Sequence, residues 1–108
     1  MRIHVLKSWP RFFSQLVAGD RTHELRRNDR DFRIGDLLEL HEFEPTTRRY
    51  TGRVCTLVVR SITSVAEPCA VSSEALDPDF CILSVVRESP QHPSRSQGVP
   101  AKLERATP

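Results

Sequence analysis

The chain has 108 residues, of which 38% are hydrophobic and 28% are charged. This size and composition indicate one small globular domain, because a chain of this length cannot build two separate cores. The net charge of +2 comes from residues 89–108, since the 13 basic and 13 acidic residues at positions 1–88 cancel. Overall charge therefore gives no argument for a nucleic acid partner.

The apolar runs of the chain are short. None approaches the ~20 residues that a membrane helix needs, and the segment before Ser8 lacks the apolar core of an export signal. We therefore expect a cytoplasmic protein. The cysteines Cys55, Cys69 and Cys81 are widely spaced without a Cys-x-x-Cys pair, which indicates buried, reduced thiols. A zinc site built from them and one histidine stays open, but no spacing favours it, and no metal or cofactor is expected.

The N-terminal part of the chain predicts a strand followed by a helix. Ile3 and Val5 alternate with polar residues, which is typical of a short strand. Ser8 is a favourable N-cap residue, and Pro10 follows in the first helical turn, where the missing N–H of proline is harmless. Gly19 stands where a helix C-cap is expected. The residues that share one helical face, and that we expect in the core, are Trp9, Phe12, Phe13, Leu16 and Val17.

Patterns of period two predict four more strands, at Thr22–Arg27, Leu37–Phe43, Val54–Val65 and Phe80–Val86. Asn28-Asp29 is a turn signal, and Phe32 and Ile34 are expected to point toward the core. Residues 44–47 and 66–79 are interpreted as loops, the second with a helical turn at Ser72–Leu76. The side chains that the longest strand directs to one side are Cys55, Leu57 and Val59.

The segment at 89–108 differs in composition from the rest. It holds four prolines, three serines and one glycine, and cannot bury enough apolar surface to offset the entropy of ordering. We predict a folded domain at residues 1–88 and a disordered tail at 89–108. One helix with five or six mostly antiparallel strands gives an α+β fold, a small barrel with the helix over one opening.

Residues 19–26 read Gly-Asp-Arg-Thr-His-Glu-Leu-Arg and resemble the signature Gly-x-Lys-x-x-Glu-x-Arg of the ASCH superfamily, a branch of the PUA-like β-barrels. The segments at 27–42 and 50–53, with the His-Val-Leu-Lys start at 4–7, are similar to an uncharacterised bacterial and phage branch of it. The resemblance spans residues 3–87. It implies a PUA-like barrel in which the signature lines a cleft beside the helix.

PUA-like domains commonly bind RNA or a modified nucleobase, so the resemblance implies a module for RNA or a nucleotide-like ligand. Independently, Glu24 and Arg26 lie two apart on a strand and project to one side, where both can face one ligand. Other arginines of the segment are close enough to contact phosphates, and a tyrosine can stack on a base. The candidate ligand-binding residues are Arg21, Thr22, Glu24, Arg26, Arg27, Arg30 and Tyr50.

Structural interpretations of the same residues stay open. Glu24 and Arg26 can form an ion pair that closes the mouth of the barrel. Arg27, Arg30 and their neighbour Arg33 alternate with aspartates and can form a solvated, neutralised loop. Tyr50 can cover the core beside a hairpin.

The resemblance also implies an enzymatic alternative. Some ASCH proteins are small amidohydrolases acting on acylated cytidine, in which the signature lysine and a threonine at the place of Glu24 are catalytic. Here the lysine is replaced by Arg21, which stays protonated at physiological pH and is a poor base. We expect no catalytic residues. A protein-interaction module, phage-borne and using the open sheet edge and the tail, is the third alternative.

Overall fold

The computed structural model describes residues 1–70 and 72–88. The predicted tail at 89–108 lies outside these residues. The elements in chain order are β1 (Ile3–Ser8), α1 (Pro10–Ala18), β2 (His23–Arg27), β3 (Leu37–Glu44), β4 (Arg49–Thr63), α2 (Ser72–Ala75) and β5 (Phe80–Arg87). The predicted helix, its end before Gly19, the helical turn after position 71 and the strands are confirmed, with shifted ends.

The five strands form one sheet in the order β1-β3-β4-β5-β2. β1 pairs with β3 in parallel, and the other pairs are antiparallel. The sheet curls into a half-barrel with α1 as its main helix, which confirms the predicted α+β fold class. Arginine side chains from β2 and from the segment after it reach the other edge strand, β1. Arg26 of β2 donates to the Lys7 carbonyl oxygen at 2.7 Å, and Arg30 donates to the Val5 carbonyl oxygen at 3.0 Å.

The core lies between the concave face of the sheet and α1. It contains Phe13 and Leu16 from α1 and the face of β4 that carries Cys55, Leu57 and Val59. Alternation predicted the strand β1 but not which of its faces points inward. Ile3 and Val5 are exposed, whereas His4, Leu6 and Ser8 are buried. Two further expected core residues are exposed, Ile34 by 66% and Trp9 by 55%.

The start of α1 differs from the prediction. The N-cap is Trp9, whose backbone is extended and whose side chain makes no capping bond. Ser8 is instead the last residue of β1 and is buried. Because β1 runs directly into the helix, the serine belongs to the sheet, and Pro10 begins the helix without a side-chain cap.

The strand β4 begins at Arg49, five residues before the predicted start. The turn at 45–48 confirms the predicted loop, and the hairpin continues through the pairs Glu44–Arg49 and Phe43–Tyr50. A register shift marks a bulge in β4: between the pairs His41–Val54 and Phe43–Tyr50, one residue of β3 faces three residues of β4, including Gly52, whose φ is 96°. The bulge and the left-handed glycine let the strand continue where the sequence suggests a break.

A buried histidine–aspartate pair joins β1 to the start of β3. His4 Nε2 lies 2.8 Å from Asp36 Oδ2, and the backbone N–H groups of Arg2 and Arg33 donate to the same carboxylate at 3.0 Å. Burial acts to raise the pKa of Asp36, but the bonds from His4 and the two N–H groups outweigh it and lower the pKa to about 2. The pair fixes the inward direction of β1.

Two of the three cysteines are buried as predicted. Cys55 and Cys81 lie in the core, and burial raises the pKa of both thiols, so they stay protonated. The prediction is wrong for Cys69, which is exposed, because it lies in the loop between β4 and β5.

Gly19 ends α1 in the left-handed conformation, with φ of 83°, and its N–H bonds back to the Leu16 carbonyl oxygen. No atom lies within 4 Å of a Cβ added at this position, so an alanine meets only backbone strain. Gly19→Ala is therefore expected to lower the free energy of unfolding by about 1 kcal/mol. Urea denaturation measures this change, and a variant as stable as the wild type contradicts it.

Candidate ligand-binding cleft

A cleft of about 290 Å³ opens where the end of β1, the start of α1 and β2 meet. Its lining carries three cationic side chains, one carboxylate and three large apolar side chains. The lining residues are Lys7, Ser8, Trp9, Phe12, Arg21, Glu24, Leu25 and Arg26. Five of them come from outside the predicted candidate set, and three come from within it.

The sharp end of α1 places the signature against the helix. After Gly19, the N–H groups of Asp20 and Arg21 both bond to the Gln15 carbonyl oxygen, at 2.9 and 3.1 Å. The chain therefore reverses at once and enters β2 beside the first turn of α1. This brings the Arg21 guanidinium 4.6 Å from the centre of the Phe12 ring, a favourable cation–π distance.

Glu24 and Arg26 share the inner side of β2, as strand alternation predicts. Arg26 Nε donates to Glu24 Oε1 at 2.8 Å, and the Glu24 side chain is only 7% exposed. A second guanidinium nitrogen of Arg26 donates to the Lys7 carbonyl oxygen. Arg26 therefore joins β2 to β1 at the base of the cleft. The ion pair that the structural interpretation expected is present.

Aromatic side chains form one wall of the cleft. Trp9 is 55% exposed because, as the N-cap, it precedes the face of α1 that packs on the sheet. Phe12 lies one turn later and is half-buried. Rings in this setting can stack on a flat ligand.

Two polar atoms of the cleft residues have no hydrogen-bond partner within the described part of the chain. They are Ser8 Oγ and Arg21 Nε, and both are buried. Ser8 as a whole is 4% exposed. An unsatisfied buried polar atom costs about 1–3 kcal/mol, so its presence in a native fold needs an explanation.

The other candidate residues do not line this cleft. Thr22 is exposed directly before β2, and its carbonyl oxygen accepts a bond from the Val85 N–H. The Arg27 guanidinium lies 5.0 Å from the Phe80 ring, whereas Arg30 bonds to β1. Tyr50 lies on β4.

Tyr50 belongs to an aromatic cluster. It is 54% exposed, and its ring lies 5.1 Å from Phe43 and 6.1 Å from His41. Lys7 joins this cluster to the cleft, because its ammonium group lies 4.5 Å from the centre of the Phe43 ring. Tyr50 therefore lies near the cleft without lining it.

Sequence reasoning missed Lys7, Ser8, Trp9, Phe12 and Leu25 as cleft residues. The helical spacing of Trp9 and Phe12 is the same for a core face and for a cleft wall, so it could not separate them. One signal was present for Trp9: a residue directly before a proline at the first helical position is an N-cap, outside the helical face. For Ser8, no local signal gave the inward direction of β1.

Across residues 1–70 and 72–88, no three metal-ligating side chains converge on one point. In the same part of the chain, no helix has the length and apolar character needed to cross a membrane.

Solved structures share this fold. The chain is similar to the crystal structure of a tyrosine-to-phenylalanine variant of ZmASCH from Zymomonas mobilis, with a TM-score of 0.53 and 16% identity, covering 82% of this chain and 70% of that chain. For a serine-to-alanine variant of ZmASCH the TM-score is 0.51, with 15% identity and coverage of 81% and 68%. The protein therefore has an ASCH-like fold, as the resemblance implied.

The chain belongs to the family described as a domain of unknown function, DUF3850, which matches residues 3–85. The match begins with β1 and ends within β5, so it includes every residue that lines the cleft. No curated protein is significantly similar to the chain.

Proposed function

We propose that this protein is a cytoplasmic binding module whose cleft receives RNA or a nucleotide-like ligand. One observation carries the proposal: three signature residues, Arg21, Glu24 and Arg26, meet in one cleft with the aromatic side chains of Trp9 and Phe12. Charged hydrogen-bonding groups beside stacking surfaces suit a nucleotide, which combines a flat base with polar edges. The ASCH-like fold supports the same class of ligand.

Each group of the cleft has a chemical role in this proposal. Glu24 uses Oε1 for the bond from Arg26, which leaves Oε2 to accept a hydrogen bond from the ligand. The guanidinium of Arg21 only donates, and it already stacks on Phe12. A base inserted beside Trp9 extends this stack, as aromatic rings do in proteins that bind single-stranded nucleic acid.

The remaining candidates lie where a longer ligand passes. Tyr50 and Phe43 form a second aromatic surface next to Lys7, suited to a neighbouring nucleotide. Thr22, directly before β2, and Arg27, its last residue, are exposed and suit contacts to the backbone of the same RNA strand. Arg30 contributes least, because its guanidinium is engaged by β1.

We do not extend this function to catalysis. Arg21 replaces the signature lysine and stays protonated at physiological pH, and Glu24 supplies no hydroxyl nucleophile. We keep residues 1–88 as the proposed domain and a bacterial or phage genome as the proposed source. For the hydrolase alternative, we expect that acylated cytidine is not hydrolysed to cytidine and the free carboxylate.

Trp9 provides a direct measurement, because it is the only tryptophan of the chain and lies in the cleft. Nucleotides and short single-stranded RNAs are expected to quench its fluorescence on binding. Phe12→Leu is expected to weaken binding about tenfold, because base–aromatic stacking contributes ~1–3 kcal/mol. Val86→Ala, which removes an exposed apolar side chain of β5, is the control and should bind like the wild type. Wild-type protein that responds to none of these probes overturns the proposal.

Salt dependence separates a polymer from a small ligand. If several arginines contact phosphates, RNA binding weakens steeply as salt rises, because condensed counterions are released. Binding that is nearly independent of salt indicates that the base contributes most of the affinity.

A further inference from the structure

The two unpartnered polar atoms of the cleft lie on different elements. Ser8 Oγ comes from the end of β1, and Arg21 Nε from the segment between α1 and β2. Both residues line the cleft together with Glu24, and both atoms are buried although the cleft itself is open. Within residues 1–70 and 72–88, neither atom gains a protein partner in return for the water contacts it has lost.

This cost falls on a fold that otherwise pairs its inward polar groups. On β1, the inward His4 bonds to Asp36. On β3, the inward Glu42 accepts a bond from Thr51 at 2.6 Å and lies 3.6 Å from Arg53. Ser8 lies beside Glu42 in the sheet. It is the inward polar residue of β1 whose side chain has no hydrogen-bond partner within the described residues. The simplest reason is that its partner arrives with the ligand.

The chemistry of the three groups indicates what that partner is. A carboxylate only accepts hydrogen bonds, a guanidinium only donates, and a hydroxyl does both. The edge of a heterocyclic base presents donors and acceptors side by side and matches this set. A phosphate only accepts and carries negative charge, so the buried Glu24 carboxylate repels it.

Building on the function proposed above, we propose that Ser8 Oγ and Arg21 Nε bind the polar edge of a heterocyclic base that enters the cleft edge first. Rotation about the Cα–Cβ bond of Ser8 turns its hydroxyl toward the ligand. Trp9 and Phe12 flank the flat base. The sugar and any phosphate stay at the open side, where Lys7 is exposed. The cleft is thus a base-reading site, and the ligand class is a nucleoside or a nucleotide within RNA.

The test uses the full chain and the quenching of Trp9 fluorescence. The probes are adenosine, cytidine, guanosine, uridine, their 5′-monophosphates and inorganic phosphate. At least one free nucleoside is expected to bind, and inorganic phosphate is expected not to compete with it. Ser8→Ala should weaken that binding about tenfold while the melting temperature stays equal or rises, because an unsatisfied polar atom has been removed.

Two further variants complete the design. Ser8→Cys keeps the shape of the side chain but hydrogen-bonds weakly, so it should also weaken binding if Ser8→Ala fails to fold. Ser61→Ala removes an exposed hydroxyl of β4 outside the cleft and should change neither affinity nor melting temperature.

The outcomes are distinct. If no nucleoside, nucleotide or RNA binds the wild type, the proposed function fails and this inference fails with it. If the wild type binds a nucleoside and both Ser8 variants bind it equally well, this inference alone is overturned. Competition by inorganic phosphate, or a clear fall in melting temperature for both Ser8 variants without loss of affinity, also overturns it.

Discussion

Replacing Asp36 with asparagine is expected to lower the free energy of unfolding by about 3 kcal/mol at neutral pH. The carboxylate is 3% exposed and accepts bonds from His4 and from two backbone N–H groups. An amide in its place directs N–H donors at other donors and leaves buried groups unpaired. Urea denaturation measures the change.

Asp31→Asn is the matched control. Asp31 pairs with Arg33 at 3.1 Å on the surface, where its side chain is 68% exposed. Its φ is 49°, a conformation that asparagine tolerates well. Exposed pairs contribute little, so this variant should lose less than about 0.5 kcal/mol. Equal losses at the two positions contradict the role given to the buried pair.

The same carboxylate predicts a pH dependence. The pKa of Asp36 is about 2 in the folded protein, below the ordinary value of 3.8. Because the folded pKa is the lower one, the stabilisation is present above pH 3.8 and is lost as pH falls toward about 2. The difference in stability between the wild type and Asp36→Asn should therefore shrink across this range. A difference that stays constant down to pH 2 contradicts the assigned pKa.

Short sequence patterns correctly predicted the features of this fold that depend only on neighbouring residues. Glu24 and Arg26 share one face because side chains alternate along a strand. The helix end at Gly19 follows because a helix often ends in a left-handed backbone conformation that favours glycine. Both are determined by neighbours in sequence. For the same reason, alternation correctly grouped Cys55, Leu57 and Val59 on one face of β4, although it did not say which face is inward.

The inward direction of β1 could not be predicted in this way. Ile3 and Val5 look like core residues, but His4 lies inside because Asp36, 32 positions away, binds it there. The cleft depends on distant parts of the chain too. Ser8 and Glu24 meet only because the half-barrel brings its two edge strands together. Such pairings depend on sheet order, which no short pattern contains.

The bond from Arg26 to the Lys7 carbonyl oxygen spans this junction. Arg26→Ala should remove it and leave Glu24 as a buried carboxylate without its partner. Because Arg26 is partly exposed, we expect a loss of about 2–3 kcal/mol in the free energy of unfolding, somewhat below that for a fully buried pair. Urea denaturation of the full chain measures it.

A double-mutant cycle separates the ion pair from the link between the strands. Glu24→Gln removes the carboxylate charge, so adding Arg26→Ala to this variant should cost about 1–2 kcal/mol less than adding it to the wild type. The free energy of unfolding that Arg26→Ala still removes in the Glu24→Gln background measures the bond from Arg26 to the Lys7 carbonyl oxygen. Additive effects within ~0.5 kcal/mol would show that the pair contributes no coupling. Glu24→Gln has one side-chain oxygen, and where Arg26 holds that oxygen an NH2 donor faces the ligand. Nucleoside binding that survives in Glu24→Gln would therefore contradict the acceptor role proposed for Oε2.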